Sequence, residues 1–274
     1  MWNIQEALRQ GARLLEQAGI LAPRLTAEVL LGHVLERERP YLYAHPDEEL
    51  SEAAWARYQR HLQERLNGKP TQYITHKQEF YGREFRVTPD VLIPRPETEH
   101  VVDRAIRLQP RRAVDVGCGS GAIAVTLQLE TGAQVWATDI SEAALRVARE
   151  NAQRLGARVD FIAADLLSAL KDGAVDLVVC NPPYVSLRDA PKMQKEVVAY
   201  EPHLALFAGD TGLEVYERVI AEARRVLQPG GWIVLELGYQ SEAAVRQMLA
   251  GWCEVSVDAD LAGLPRVIAA RHSP

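Results

Sequence analysis

The first seventy residues carry apolar side chains at helical spacing. Ile4, Ala7, Leu8, Leu14, Leu15 and Ala18 fall close to one face of a helix at 3.6 residues per turn. A second helix is expected after Thr26, with Val29, Leu30, Val34 and Leu35 inward. The third has the clearest ends. Ser51 is placed to cap its N-terminus, Leu50 can staple onto Trp55, and the stripe runs through Tyr58, Leu62 and Leu66 to a stop at Asn67-Gly68. Residues 1–70 are expected to form a small helical domain.

The period changes at residue 71. EFYGREFRVTPDVLIP holds strand-forming residues around Gly82 and a turn signal at Pro89-Asp90, which predicts a β-hairpin and linker over residues 71–96. Pro94 and Pro96 favour extended backbone, and a helix is expected from about Glu97. From residue 111, the apolar runs AVDVG, QVWATD, VDFIAAD, VDLVVCN and GWIVLELG alternate with helical segments 121–130, 142–155, 213–227 and 241–250. Short continuous apolar runs between helices predict parallel strands covered on both faces. The tail CEVSVDADLAGLPRVIAARH adds two strands, read as a hairpin at the sheet edge. Residues 97–274 are therefore expected to be an α/β domain around a mostly parallel seven-stranded sheet.

Composition mainly excludes. Lys+Arg 31 against Asp+Glu 37 leaves a net charge of −6, whereas a protein that coats nucleic acid carries a basic excess. The three cysteines, Cys118, Cys180 and Cys253, are odd in number and lack zinc spacing. The N-terminus lacks the basic start and unbroken apolar core of a signal peptide, and no run reaches the roughly 20 apolar residues that cross a bilayer. The expectation is a soluble, reduced, cytoplasmic protein with no bound metal.

Four segments carry candidate chemistry, each at the C-terminal end of an expected strand. Asp115-Val116-Gly117-Cys118-Gly119-Ser120-Gly121 follows the first strand and opens a helix, and its glycines let backbone approach a ligand closely. Asp139 ends the second strand, at a distance where a carboxylate accepts both ribose hydroxyls of an adenosine-containing cofactor. Gly117, Gly119 and Ala122 satisfy a loose G-x-G-x-x-A pattern, so the loop alone leaves a dinucleotide open. Asp165 ends the third strand. It can accept an adenine amine, with Leu166 offering an amide and an apolar contact, or it can cap a helix over LLSAL. Asn181-Pro182-Pro183-Tyr184 follows the fourth. Two prolines stiffen the backbone and remove two donors, leaving the Pro182 carbonyl as a fixed acceptor. Asn181 adds an acceptor and a donor, and Tyr184 a flat face. Together they make a receptor for a planar group bearing an NH2, an amide or an adenine.

In this order the glycine loop, the two acids and NPPY resemble the class I S-adenosylmethionine-dependent methyltransferases, a Rossmann-like fold, that modify amino nitrogens. Leu92-Ile93-Pro94-Arg95-Pro96-Glu97-Thr98-Glu99 and the segment from Glu201 to Leu213 (EPHLALFAGDTGL) resemble the signatures of the peptide chain release factor glutamine N5-methyltransferases, the HemK/PrmC family. The helical N-terminus fits as well. This resemblance implies a monomeric enzyme that methylates the glutamine of the Gly-Gly-Gln motif in class I release factors. It needs no direct nucleic-acid partner, leaves S-adenosylhomocysteine, and contacts the factor through its helical domain. Cofactor residues would be Gly117, Cys118, Gly119, Ser120, Gly121, Asp139, Asp165, Leu166 and Asn181. Asn181, Pro182 and Tyr184 would act on the amide. Substrate residues would be Asn181, Pro182, Pro183, Tyr184, Arg95, Glu97 and Thr98, although Arg95 can instead belong to an Arg–Glu pair pinning the linker. Many relatives carry an aromatic where this chain has Leu166.

The amide nitrogen is a poor nucleophile because its lone pair is delocalised. The Asn181 and Pro182 carbonyls can accept both amide hydrogens and align the nitrogen, while the Asn181 amine can hold the substrate carbonyl. The polar stretch Ser186–Tyr200 is a candidate grip on a protein substrate. A DNA adenine-N6 methyltransferase would use the same receptor on a flipped base. Net charge, the PRPETE segment and the lack of a target-recognition domain count against it. NPPY has no place in a nicotinamide dehydrogenase, and an intact set of motifs argues against a non-catalytic scaffold.

Overall fold

The computed structural model describes residues 2–273, which divide into two compact units. The first holds the chain through His76 together with Lys195–Tyr200; the second holds Lys77–Gln194 and the chain from Glu201 onward.

Five helices open the first unit: α1 (Ile4–Gln17), α2 (Pro23–Leu35), α3 (Arg39–Ala44), α4 (Glu52–Leu66) and α5 (Thr71–Thr75). Asn3 and Glu6 form a reciprocal capping box at α1. Ser51 Oγ accepts from the Ala54 amide at 3.1 Å, which starts α4 at the expected residue. Ile4, Leu8, Leu15, Leu30, Leu31, Tyr58 and Leu62 form one core, on which Leu50 and Trp55 also pack. Ala18 is not inward: it is the exposed C-cap of α1. Helix α2 begins at Pro23, ahead of Thr26, because a proline in the first turn gives up an amide that has no helical partner. The short α3 and α5 carry too few residues to show a period, and α5 lies where the sequence reads as linker.

The second unit begins with β1 (Lys77–Phe80) and β2 (Arg83–Arg86), an antiparallel hairpin. Its turn is Tyr81-Gly82, at φ +53° and +68°, the left-handed pair that two-residue hairpins require. Pro89-Asp90 turns the chain later. A 3-10 turn at Pro96–Thr98 leads into α6 (Glu99–Arg107). Then follow β3 (Arg112–Val116), α7 (Ala122–Thr131), β4 (Gln134–Asp139), α8 (Glu142–Leu155), β5 (Val159–Ala163) and β6 (Val175–Cys180). A 3-10 segment, Leu187–Lys192, precedes α9 (Lys195–Tyr200), which belongs to the first unit. There Glu196 pairs with the buried Arg65 at 2.7 Å, and the Tyr200 hydroxyl donates to the Asn67 carbonyl. The chain closes with α10 (His203–Leu206), α11 (Glu214–Val226), β7 (Leu227–Glu236), α12 (Glu242–Met248), β8 (Cys253–Ala259) and β9 (Pro265–Arg271).

The seven-stranded sheet runs β5-β4-β3-β6-β7-β9-β8. Five strands are parallel, and β9 and β8 complete the edge antiparallel. Successive residues serve opposite faces. Leu177, Val179, Val234, Val267 and Ala269 pack with α6, α7 and α8, whereas Val178, Cys180, Ile233, Leu235, Ile268 and Ala270 pack with α11 and α12. Burial on both faces is why these strands read as unbroken apolar runs. The order reverses between β3 and β6, so the carboxyl ends of those strands border the crevice where open α/β sheets bind ligands.

The segment after β6 is held to the segment around α10. Val185 N donates to Leu206 O at 3.0 Å, Ala208 N to Val185 O at 3.1 Å and Leu187 N to Gly209 O at 2.9 Å. Gly212 closes this ladder at φ +83°, and a Cβ there would stand 2.6 Å from the Tyr184 carbonyl oxygen. Gly212→Ala is expected to destabilise the protein by about 2–3 kcal/mol, combining left-handed backbone with a backbone clash. In thermal unfolding that is a midpoint lowered by roughly 5–10 °C. A wild-type midpoint would mean that the loop relaxes at no cost.

Candidate active site

The glycine loop is drawn across to the end of β4. The Gly117 and Cys118 amides both donate to the Thr138 carbonyl, at 2.8 and 2.9 Å. Gly117, Gly119 and Gly121 all have positive φ. A Cβ on Gly117 or Gly119 would meet nothing within 4 Å, so backbone conformation, not space, demands glycine there. Gly121 differs, because a Cβ would come 3.1 Å from Ala148 of α8. Beneath the loop Asp115 is fully buried and accepts from the Ala124 amide at 3.0 Å, tying it to the start of α7. Burial pushes its carboxyl up to about 7.

Asp139 ends β4 with both oxygens engaged. Oδ2 accepts from the Gly119 amide at 2.9 Å and Oδ1 from the Ser141 amide at 2.8 Å. Burial raises its pKa, and these amides pull it back. Each carboxylate oxygen keeps a second lone pair.

A cavity of about 490 Å³ opens over these residues. Gly117, Cys118, Gly119, Ser120, Asp139, Asp165, Leu166, Asn181, Pro183, Arg95 and Thr98 all line it. Ile140, Leu204 and Phe207 add apolar wall. Of the residues singled out from the sequence, Gly121 packs behind the loop, and Glu97, Pro182 and Tyr184 are not among the lining residues. Glu97 is partly exposed and Pro182 is buried.

Asp165 Oδ2 accepts from Arg218 at 2.7 Å, with both side chains half exposed and both on the cavity wall. The helix over LLSAL does not form; residues 166–169 are turns. The Leu167 amide donates to the Glu222 carboxylate at 3.0 Å instead of to a capping Asp165. Leu166 takes φ +49° at the cavity edge.

Arg95 pairs with Glu201 at 2.5 Å, and the Ile93 amide donates to the other Glu201 oxygen at 3.2 Å. Glu201 is buried, so this pair pins the 93–95 stretch, as the plainer reading of Arg95 expects. His203 stands edge-on to Phe207 at 5.4 Å. Lys192 pairs with Asp189 at 2.7 Å on the surface.

Behind Asn181 lies a chain of hydrogen bonds that the motifs do not reveal. Asn181 Nδ2 donates to Thr98 Oγ1 at 3.0 Å, and Thr98 Oγ1 donates to Glu236 Oε2 at 2.6 Å. The Tyr184 hydroxyl donates to Glu236 Oε1 at 3.3 Å. The Tyr184 ring lies against Gly238, where a Cβ would stand 2.8 Å from it. Tyr216 donates to the Glu236 carbonyl at 2.7 Å and accepts from the Gly238 amide at 3.0 Å. Glu236 is buried at the end of β7. It went unread in the sequence, although one acid inside the apolar run GWIVLELG is the anomaly that marks it.

Comparison with known proteins agrees along the whole chain. The model of the PrmC N-terminal domain matches residues 6–75, and that of the methyltransferase small domain matches residues 98–204. A release factor glutamine methyltransferase of Koribacter versatilis is 43% identical over 275 residues, covering 98% of both chains. That of Bacillus subtilis is 40% identical over 284 residues, again covering 98% of each. Among solved structures, a methyltransferase from Pyrococcus furiosus superposes with a TM-score of 0.53 at 18% identity, over 71% of this chain and 91% of its own. That similarity supports the fold alone.

Proposed function

This chain belongs to the release factor glutamine methyltransferases, and from that membership we propose how its cavity performs the transfer. The enzyme methylates the side-chain amide nitrogen of the Gly-Gly-Gln glutamine in class I release factors, drawing the methyl from S-adenosylmethionine. Release factors act in the cytoplasm, and the enzyme works on them there. Among the described residues no helix is long and apolar enough to cross a membrane.

The residues present fit the cofactor. The open space over Gly117 and Gly119, the Asp139 carboxylate beside it and the apolar Ile140 and Leu166 suit a ribose and an adenine. A cavity of about 490 Å³ falls in the range of small-molecule sites, roughly 300–1,000 Å³. When bound, the cofactor supplies a methyl activated by positive sulfur and leaves as S-adenosylhomocysteine.

The observation that carries the reading is the orientation of Asn181. Its amine is committed to Thr98, which leaves Oδ1 to accept a hydrogen from the substrate amide. This favours the carbonyl as the working group, while the amine's second hydrogen can still hold the substrate carbonyl. The Pro182 carbonyl is proposed as the second acceptor, although Pro182 is buried and stands outside the cavity lining. Two acceptors fix the nitrogen and enrich its electron density without a strong base, since an N-protonated amide sheds its proton readily. Positioning of this kind is worth up to roughly 7–11 kcal/mol in favourable intramolecular cases. Tyr184 supports the receptor from behind, and Arg95 shapes its mouth through Glu201.

The test is transfer of labelled methyl to a purified class I release factor, beside the same factor with its Gly-Gly-Gln glutamine changed to alanine. Label is expected on the first only, on the glutamine side chain by mass spectrometry. Label on adenine of duplex DNA, with none on the factor, would overturn the substrate assignment.

A further inference from the structure

We propose that Glu236 is a positioning residue for the transfer: acting through Thr98, it decides which end of the Asn181 amide faces the substrate. The inference rests on the functional reading above for its consequence, though not for its geometry.

An ionised carboxylate only accepts. Thr98 Oγ1, at 2.6 Å from Glu236 Oε2, therefore gives its single hydrogen to Glu236. It can then only accept from Asn181, so Nδ2 is the atom that turns to it at 3.0 Å. The Tyr184 hydroxyl, the second donor on Glu236, holds the other oxygen. Asn181 Oδ1 is left toward the substrate by elimination. Thr98 and Glu236 are both buried, so water does not compete for these hydrogens.

The same chain runs backwards when Glu236 takes up a proton. A protonated carboxyl can donate to Thr98 Oγ1, whose own hydrogen then turns to Asn181 Oδ1. The Asn181 amide rotates, and its amine, which cannot accept, is presented to the substrate. Burial pushes the Glu236 carboxyl up to about 7. The groups around it are Thr98 and Glu97 before α6, Tyr184 after β6, Tyr216 on α11, the Cys180 thiol at the end of β6 and Arg266 on β9. Thr98, Tyr184 and Arg266 favour the charged form, and Glu97 opposes it. Arg266 is itself held by Asp260 at 2.8 Å. Orienting Asn181 requires the carboxylate, so the transfer rate falls as pH drops through the Glu236 pKa.

The test uses the full-length enzyme with Thr98→Val, Glu236→Ala, Glu236→Gln and the double variant Thr98→Val/Glu236→Ala. Thr98→Val and Glu236→Ala are each expected to lower kcat about ten-fold or more, with the KM for release factor and the Kd for S-adenosylmethionine within two-fold. The double variant is expected to be no slower than Thr98→Val, because both changes cut one chain. Wild type is expected to lose kcat between pH 8 and 6, whereas Glu236→Gln, which cannot titrate, is flat there. A readout without substrate is the Asn181 side-chain NH2 resonance in ¹⁵N-asparagine-labelled enzyme, assigned by its loss in Asn181→Ala. It is expected to shift in Thr98→Val, which keeps the volume of threonine even if Glu236→Ala fails to fold. A wild-type kcat and an unmoved NH2 resonance in Thr98→Val, or additive losses in the double variant, would overturn the proposal. Wild-type enzyme inactive on any release factor would sink the substrate reading instead, and the resonance would still decide the role of Glu236.

Discussion

Replacing Asn181 by alanine is expected to lower methyl transfer about 10²–10³-fold, the loss seen when one preorganised polar group is removed from a reacting centre. The side chain lines the cavity, and its amine donates to Thr98. Cofactor affinity should therefore change little, within about three-fold by calorimetry, because Asp139 and the glycine loop are untouched. Thermal stability should change little too, since the Thr98 hydroxyl keeps its bond to Glu236 when Asn181 is truncated. The expected signature is a fall in kcat with both ligands still bound. Asn181→Asp tests the charge requirement, since it keeps the acceptor but removes the donor to Thr98. Transfer by Asn181→Ala within ten-fold of wild type would mean that the amide is aligned by backbone alone.

Asp139→Ala is expected to act at the other end of the cavity and on binding. It removes the carboxylate proposed to accept the ribose hydroxyls and strands two donors, the Gly119 and Ser141 amides. Hydrogen bonds to a charged group are worth about 1.5–3 kcal/mol each. Losing one such bond to ligand lowers S-adenosylmethionine affinity about 10–150-fold, and loosening of the glycine loop adds to it. Asp139→Asn should lie between, because it keeps an acceptor for one amide. Saturating cofactor should restore much of kcat in both variants, which separates this defect from that of Asn181→Ala. Unaltered affinity in Asp139→Ala would remove the aspartate from the cofactor site.

The parts of this protein that sequence makes plain are those coded locally. The capping Ser51, the stop at Asn67-Gly68 and the alternation of buried strands with helices each depend on a few neighbouring residues. So do the positive φ of Gly117 and Gly119 and the stiffness of Pro182-Pro183. The places where local reading failed are equally physical. The hairpin turns at Tyr81-Gly82, within the stretch read as strand-forming, and Pro89-Asp90 makes a separate turn after it. LLSAL has helical composition but stays a turn, with its Leu167 amide bonded to Glu222 on α11.

From the amino-acid sequence alone come the longer helices, the parallel sheet, the glycine loop, the acid ending β4 and the stiff Asn-Pro-Pro-Tyr turn after β6, since each is written in consecutive residues. Tertiary structure alone settles which of those residues face the cavity and which stand behind it. Tyr184 turns from the cavity toward Gly238, Arg95 is held by a glutamate 106 residues away, and Asn181 is bonded to Thr98 and Thr98 to Glu236, on three elements far apart in the chain. Hydrogen bonds between distant segments exist only once the sheet brings their ends together, and no local pattern records them.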